Sequence, residues 1–403
     1  MLCQFSFENF KSHKNLSTLD LCAEPLSEHI DSLIVDKDGE KFLPVSVIYG
    51  PNGGGKSNTL EAIYYFFGFI LNLENISKKR VKYSTPDVPY HKFDLECKNK
   101  PTKFDVLFRT TNYEVSYQIS ILGKEVVEEY LYVKKINTND AKTLIERNEN
   151  ETKLYDVLED IPVSKVSRNI PLLSHIAFNY DVDIINEIIN WFLNSRFINF
   201  GNFIQERNIN VPNTDEEIKK TISLLNQMGI NIKEIRKVKD ENNDEIKDVY
   251  IKKINKNGDL IELNFYEESS GTQKVFSFSM DILYSLFKGG ILVVDELDAK
   301  LHPKLLEFII QLFTNKETNK KGAQLILTSH DVSTMNSDVF RRDEIWFCAL
   351  NPDNVSMLYS LYSFKKEDGT KTRKDESYGK RYLEGKYGAD PYLRKMIDWE
   401  DDV

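Results

Sequence analysis

Cysteine is scarce in this chain: Cys3, Cys22, Cys97 and Cys348 are all there is in 403 residues, and none forms a Cys-x-x-Cys pair. That spacing argues against a zinc site and a disulfide framework, and it suits a reducing cytoplasm. Long apolar runs are also missing. The stretch from Ala62 to Leu71 is too short to span a bilayer, so no membrane partner is expected. Met1-Leu2-Cys3-Gln4-Phe5 has no basic stretch leading into an apolar one, so no secretory signal is expected and the protein is placed in the cytoplasm. Excess positive charge is absent: 53 Lys and Arg face 63 Asp and Glu, a formal net charge of -10. A surface that grips nucleic acid broadly would be basic, so non-specific DNA binding is disfavoured. A local DNA contact through Lys78-Lys79-Arg80-Val81-Lys82 stays open, beside the plainer reading of a solvated helix end. Sustained heptads, internal repeats and low-complexity tracts are lacking, which excludes a long coiled coil.

What is present is the composition of a folded chain, 41% apolar, 29% charged and 12% aromatic. Strands are predicted at Leu2–Phe7, Leu16–Leu21 and Pro44–Tyr49, the last an apolar run typical of a strand buried on both faces. A helix is predicted from Lys56 to about Leu73, and two or three alternating strands within Lys103–Val133. Helices are expected at Val182–Phe200 and Asp215–Met228, and strands at Asn231–Val238 and Asp248–Ile254. From Ser270 a helix, strand, helix, strand, strand succession (strands Gly290–Val294, Gln324–Thr328 and Glu344–Ala349, helix His302–Phe313) has the βαβ rhythm of a mainly parallel sheet. A last helix is expected at Glu376–Leu383.

Gly50-Pro51-Asn52-Gly53-Gly54-Gly55-Lys56-Ser57 fits G-x-x-x-x-G-K-[ST], with the buried strand before it and the helix after it that the motif requires. Glycines let successive N–H groups converge on phosphate oxygens, and the helix start adds its positive dipole end. Lys56 is expected to reach the β- and γ-phosphates of ATP, and the Ser57 hydroxyl to ligate Mg²⁺. Downstream, Ile291-Leu292-Val293-Val294-Asp295-Glu296 is an apolar strand ending in two carboxylates. Asp295 would hold the Mg²⁺, and Glu296, one residue on, would accept a proton from an attacking water. The alternative is a strand followed by a surface acidic turn. Glu268-Ser269-Ser270-Gly271-Thr272-Gln273 opens a helix just upstream, where Ser270 and Gly271 can present a hydroxyl and N–H groups to an anion, or simply cap the helix. Leu325-Ile326-Leu327-Thr328-Ser329-His330 ends the next strand in a histidine placed to sense a γ-phosphate. His302, next to Pro303, reads as a helix-start residue.

Together these residues resemble an ABC-type, AAA-like ATPase of the SMC and OLD superfamily. The N-terminal Phe5-Ser6-Phe7-Glu8-Asn9-Phe10-Lys11-Ser12 is similar to the opening strand and turn of those proteins. The likeness is greatest to RloA-type ATPases, including AbiLi-like and AriA-like bacterial defence proteins. It is carried by Gly50–Ser57 with Asn58, Glu268–Gln273, Asp295–Pro303, Arg341–Phe347, Leu358–Leu361, and Arg373–Glu376 through Arg381–Ala389. It departs at Asp390, where Ile or Val is usual. The resemblance implies a mainly parallel α/β P-loop head with an antiparallel β subregion and an α-rich insertion. The halves would be 1–136 and 259–364, the insertion 137–258 and the tail 365–403. It implies an ATP- and Mg²⁺-dependent ATPase working as a head-to-tail homodimer or higher oligomer. Ser270, Gly271 and Gln273 would close over the γ-phosphate held by the other subunit, and Asp298 would reach across the dimer. A Q-loop glutamine is sought at Gln118 or near Val88–His91, and Lys11 and Tyr49 near the nucleotide. The resemblance further implies a separately encoded, nuclease-like effector in anti-phage defence. An SMC-like DNA-repair or chromosome-maintenance ATPase is the alternative.

Overall fold

Strands β1 (Leu2–Glu8) and β2 (Ser17–Asp20) form an antiparallel hairpin whose inward residues, Leu2, Phe5, Phe7 and Leu19, are fully buried. A small ladder, β3 (Ile34–Val35) with β4 (Lys41–Phe42), leads into β5 (Val45–Tyr49), buried along its whole length. Helix α1 (Lys56–Leu71) follows the glycine-rich loop. Strands β6 (Thr102–Arg109), β7 (Tyr113–Leu122), β8 (Glu125–Lys135), β9 (Ala141–Arg147) and β10 (Thr152–Leu154) then extend the first hairpin. The result is an antiparallel sheet of order β10-β9-β8-β7-β6-β1-β2. Helices α2 (Leu172–Asn179) and α3 (Asp183–Leu193) close this stretch.

The computed structural model describes residues 1–71, 87–199, 211–212, 214–239, 246–299, 301–366 and 369–389. The basic run 78–82, Lys300, Asp390 and the acidic end 398–402 lie outside the described residues. Two units are distinguished: a terminal unit of Leu2–Leu193 with Val332–Val403, and a unit central in sequence, Asn194–Asp331 with Met1. The division at residue 193 falls inside the stretch read as one insertion, and β9, β10, α2 and α3 belong to the terminal unit.

The central unit opens with β11 (Arg196–Asn199), in place of the last turn of the predicted helix 182–200. Its backbone pairs in parallel with the strand ending at Asp295, a long-range contact that overrides local helical periodicity. Helix α4 (Asp215–Gln227) starts with a capping box between Thr214 and Glu217. An antiparallel sheet follows: β12 (Glu234–Lys239), β13 (Ile246–Ile254) and β14 (Leu260–Asn264). Helix α5 (Ser270–Lys288) then packs on α4, with Val275, Phe278 and Ile282 on its buried stripe. Strand β15 (Ile291–Asp295), helix α6 (Pro303–Thr314) and strand β16 (Gln324–Thr328) complete a parallel β11-β15-β16 layer.

The chain returns to the terminal unit as β17 (Ile345–Leu350), parallel to β5 and antiparallel to β18 (Ser356–Ser360), and ends its described part in α7 (Tyr378–Leu383). The core of this unit is aromatic. Phe66 and Phe67 of α1 pack on Phe5, Phe104, Tyr117 and Phe192, while Trp191 stacks on Phe108 with centroids 3.9 Å apart. Each buried ring contributes on the order of 2 kcal/mol or more through its area alone. A buried ion-pair knot joins distant segments. Arg341, fully buried, donates to Asp343 at 2.8 and 2.9 Å and to the carbonyls of Glu24 and Glu28. Arg342 pairs with Glu28 and donates to the carbonyl of Thr372.

Candidate functional site

The first candidate loop lies in the terminal unit, between β5 and α1. Gly50, Gly53 and Gly55 have φ of 152°, 76° and 107°, conformations that L side chains rarely adopt. A Cβ on Gly50 would collide with the carbonyl oxygen of Cys348, and one on Gly54 would come within 2.6 Å of it. The loop is thus wrapped against β17 so closely that only glycine fits. Pro51, Asn52 and Gly53 form its outer rim, while Gly54, Gly55 and Lys56 are buried. The Lys56 ammonium donates to the carbonyls of Gly50 (2.8 Å) and Pro51 (3.0 Å), curling back over the loop. Ser57 and Asn58 are half-buried in the first turn of α1.

Behind the loop stand residues from both ends of the unit. The carbonyl of Gly54 accepts from Ser356 Oγ at 2.9 Å and from Cys348 Sγ at 3.2 Å. Burial pushes the Cys348 thiol up to about 12, so it stays a neutral donor. Asn58 donates to Ser12 Oγ at 2.7 Å. His13, fully buried, brings Nε2 to 3.2 Å from Thr59 Oγ1 and 3.4 Å from the carbonyl of Gly55.

The second loop lies in the central unit, after β15. Asp295 is buried, and its Oδ1 accepts from the Thr328 hydroxyl at 2.5 Å. Glu296 takes a left-handed backbone, φ 54°, which disfavours a non-glycine residue by about 1–2 kcal/mol. Its N–H donates to Thr328 Oγ1 at 2.8 Å. From the other side the buried ammonium of Lys274, on α5, donates to the carbonyls of Glu296 and Leu297, each at 3.1 Å, and to that of Ala299. Strain held by such contacts at a carboxylate marks a candidate functional residue. The Asp298 carboxylate accepts from the N–H of His330 at 3.0 Å, so these two predicted residues are neighbours. The His330 side chain is exposed.

Helix α5 starts at Ser270, capped by Ser269, whose Oγ accepts from the N–H of Thr272 at 3.2 Å. Ser270 is exposed and Gly271 half-buried at this start. Gln273 donates its amide to the carbonyls of Tyr266 (3.0 Å) and Glu268 (2.8 Å), bracing the turn before the helix.

A family model described as "AAA domain, putative AbiEii toxin, Type IV TA system" matches residues 45–336, more than half of the chain and a span containing both loops. The chain belongs to that family. In structure this AAA domain is similar to an SmcHead bound to the C-winged helix domain of ScpA, with 14% identity over 89% of this chain and 97% of that one, TM-score 0.42. It is also similar to an ATP-binding cassette in a dimeric post-hydrolysis state bound to ADP and Pi, with 13% identity over 89% of this chain and 100% of that one, TM-score 0.33. No curated protein matches it in sequence.

Other expected residues fall elsewhere in the chain. Gln118 sits mid-strand in β7 and donates to Asp105, held in the antiparallel sheet. His91 faces the N-terminal turn: its N–H donates to Asn9 Oδ1 and its Nδ1 lies 2.9 Å from the carbonyl of Lys11. Lys11 pairs with Glu61, and the Tyr49 hydroxyl is 3.3 Å from Thr334 Oγ1. His302 caps α6, its Nδ1 accepting from the N–H of Lys304. Sequence reasoning missed Lys274 and Thr328. Lys274 carried a signal: it lies four residues before Phe278 on the buried stripe of α5, where an unpartnered ammonium would be expensive. Among the described residues no helix is long and apolar enough to cross a membrane.

Proposed function

We propose that this AAA domain binds Mg-ATP and hydrolyses it, with turnover in a head-to-tail homodimer controlling a separately encoded effector. The observation that carries the reading is the loop from Gly50 to Lys56. It has three glycines at positive φ, it opens a 16-residue helix, and its one lysine is buried against it. A polyphosphate is the ligand such a loop suits. Lys56 would exchange its two backbone acceptors for β- and γ-phosphate oxygens. The donor set also suits the metal: Ser57 and Asp295 offer the hard oxygens that Mg²⁺ prefers. When bound, Mg²⁺ would neutralise charge developing on the phosphate oxygens.

Glu296 is the proposed general base, taking the proton of the water that attacks the γ-phosphorus as ADP leaves. Thr328 and Lys274 fix its backbone on both sides, and such pre-positioning favours proton transfer. His330 is proposed to sense the γ-phosphate. Ser270, Gly271 and Gln273, with Asp298, are proposed to face the nucleotide of a second copy. The nuclease-like effector and the anti-phage role rest on the resemblance to RloA-type proteins.

The test pairs two variants. Lys56→Ala should weaken Mg-ATP binding by about a hundredfold or more, read by calorimetry. Glu296→Gln should keep binding, accumulate as a dimer in gel filtration with ATP, and release phosphate about 10²–10⁴-fold more slowly. Wild-type turnover in Glu296→Gln would remove the base assignment. No heat with Mg-ATP for the wild-type chain would remove the whole reading.

A further inference from the structure

We propose that Ser12, His13 and Ser356 are positioning residues for the phosphate loop, fixing which way its peptide groups face. This rests on the nucleotide-binding reading above. Gly53-Gly54-Gly55 is a run in which no side chain restrains the backbone, so its peptide planes can turn easily unless something outside the loop holds them. In a trans peptide the C=O and the following N–H point in opposite directions. Tying the Gly54 carbonyl to the rear therefore aims the Gly55 N–H forward, and tying the Gly55 carbonyl aims the Lys56 N–H forward.

The ties are specific. The single hydroxyl proton of Ser356 is shared between the Gly54 carbonyl, 2.9 Å away, and Ser12 Oγ, 2.7 Å away, so Ser12 holds the Ser356 hydroxyl at the back of the loop. Ser12 in turn accepts from Asn58 Nδ2 at 2.7 Å. Asn58, Ser12 and Ser356 thus form one hydrogen-bonded cluster behind the Gly54 carbonyl. It is anchored by the backbone, since Ser356 N–H donates to the carbonyl of Ser12 at 2.8 Å.

His13 completes the device. The Gly55 carbonyl accepts from the Thr59 N–H at 3.0 Å and the Thr59 hydroxyl at 3.2 Å, and His13 backs both, its Nε2 3.4 Å from the carbonyl and 3.2 Å from Thr59 Oγ1 and its Nδ1 2.8 Å from Ser17 Oγ. The ring is held at both ends in its neutral form. It sits on a two-way backbone turn, Phe10 N–H to His13 carbonyl and back, each 2.8 Å. The strand β18 and the turn after β1, far apart in sequence, thus act together to keep a glycine run in its phosphate-facing form before any phosphate arrives.

The experiment measures Mg-ATP binding and steady-state phosphate release on the full chain for wild type, Ser12→Ala, Ser356→Ala and the double variant. Misaimed N–H groups should weaken ground and transition states alike. Kd and KM should therefore rise about tenfold in the single variants and further in the double, with kcat moving much less. Ser12→Thr, which keeps the hydroxyl, should restore wild-type Kd. A loss that was only structural would lower the nucleotide-free melting midpoint and leave the ADP-induced shift above that midpoint unchanged. If Ser356→Ala does not fold, Ser12→Ala alone decides, because it removes one oxygen from a half-buried side chain. Wild-type Kd in Ser12→Ala or the double variant, with the wild-type chain binding normally, overturns the proposal. A wild-type chain that takes up no Mg-ATP instead removes the reading beneath it.

Discussion

The glycine-rich loop and the acidic turn each leave the end of a fully buried five-residue strand, yet they are held in opposite ways. In the first, unusual backbone angles fall on glycine, and a wall of backbone at Cys348 leaves no room for anything else. In the second, the unusual angle falls on Glu296, a residue that resists it, and side chains from two other elements enforce it. One conformation is permitted by local composition; the other is imposed by tertiary contact. A loop of the first kind can be recognised from a short string of letters. In the second kind the letters show the two carboxylates but not the backbone they adopt, because Thr328 and Lys274 are 32 and 22 residues from Glu296 in the chain.

Substitutions can break this contrast at either end. The largest effect is expected for Gly50→Ala, whose Cβ would collide with a backbone carbonyl that cannot move aside. A loss on the order of 4 kcal/mol should appear in urea unfolding. Full stability in that variant would show that the wall at β17 yields. Lys274→Met removes the charge that gathers the acidic turn and leaves carbonyls without a donor. It should destabilise by about 3 kcal/mol and slow phosphate release about tenfold or more. If both stay at wild-type values, the turn holds itself and the contrast fails.

A pH-dependent effect of similar size belongs to His13. Burial pulls its imidazole down to about 4, from an ordinary value of 6.5. Between these values the unfolded chain binds a proton that the folded one refuses. The stability linked to neutral His13 is therefore whole above about pH 6.5 and declines as pH falls toward 4, by about 3 kcal/mol across the window. Urea midpoints of wild type and His13→Gln should differ less at pH 4.5 than at pH 7; parallel curves would mean that the ring is charged or solvated. The smallest effect is expected at Gly53, which has φ 76° but open space around its Cβ position. Gly53→Ala should destabilise by about 1 kcal/mol, which separates backbone strain from collision within one loop.

The same distinction explains what could be read from the sequence. Strands β5, β15 and β16, helix α1 and the glycine-rich motif announce themselves through apolar runs, 3.6-residue periodicity and glycine spacing. Strand β11 did not, since Arg196–Asn199 continues the apolar rhythm of α3 and becomes a strand only by lying beside β15. β9 and β10 were hidden in a polar stretch whose pairing partners, not its composition, make it a sheet. Gln118 lies in the alternating strand expected for it, but alternation does not show which sheet that strand joins.

The knot of Arg341, Arg342, Asp343 and Glu28 has a bearing on how the protein is made. It ties residues near position 25 to residues near 340 and to the carbonyl of Thr372, with Asn194–Asp331 lying between them in the sequence. On a ribosome adding roughly 5–20 residues per second, Glu28 leaves the tunnel many seconds before the arginines that neutralise it exist. During that interval β5 lacks β17, the strand it pairs with, and the early chain is left waiting for its own late half.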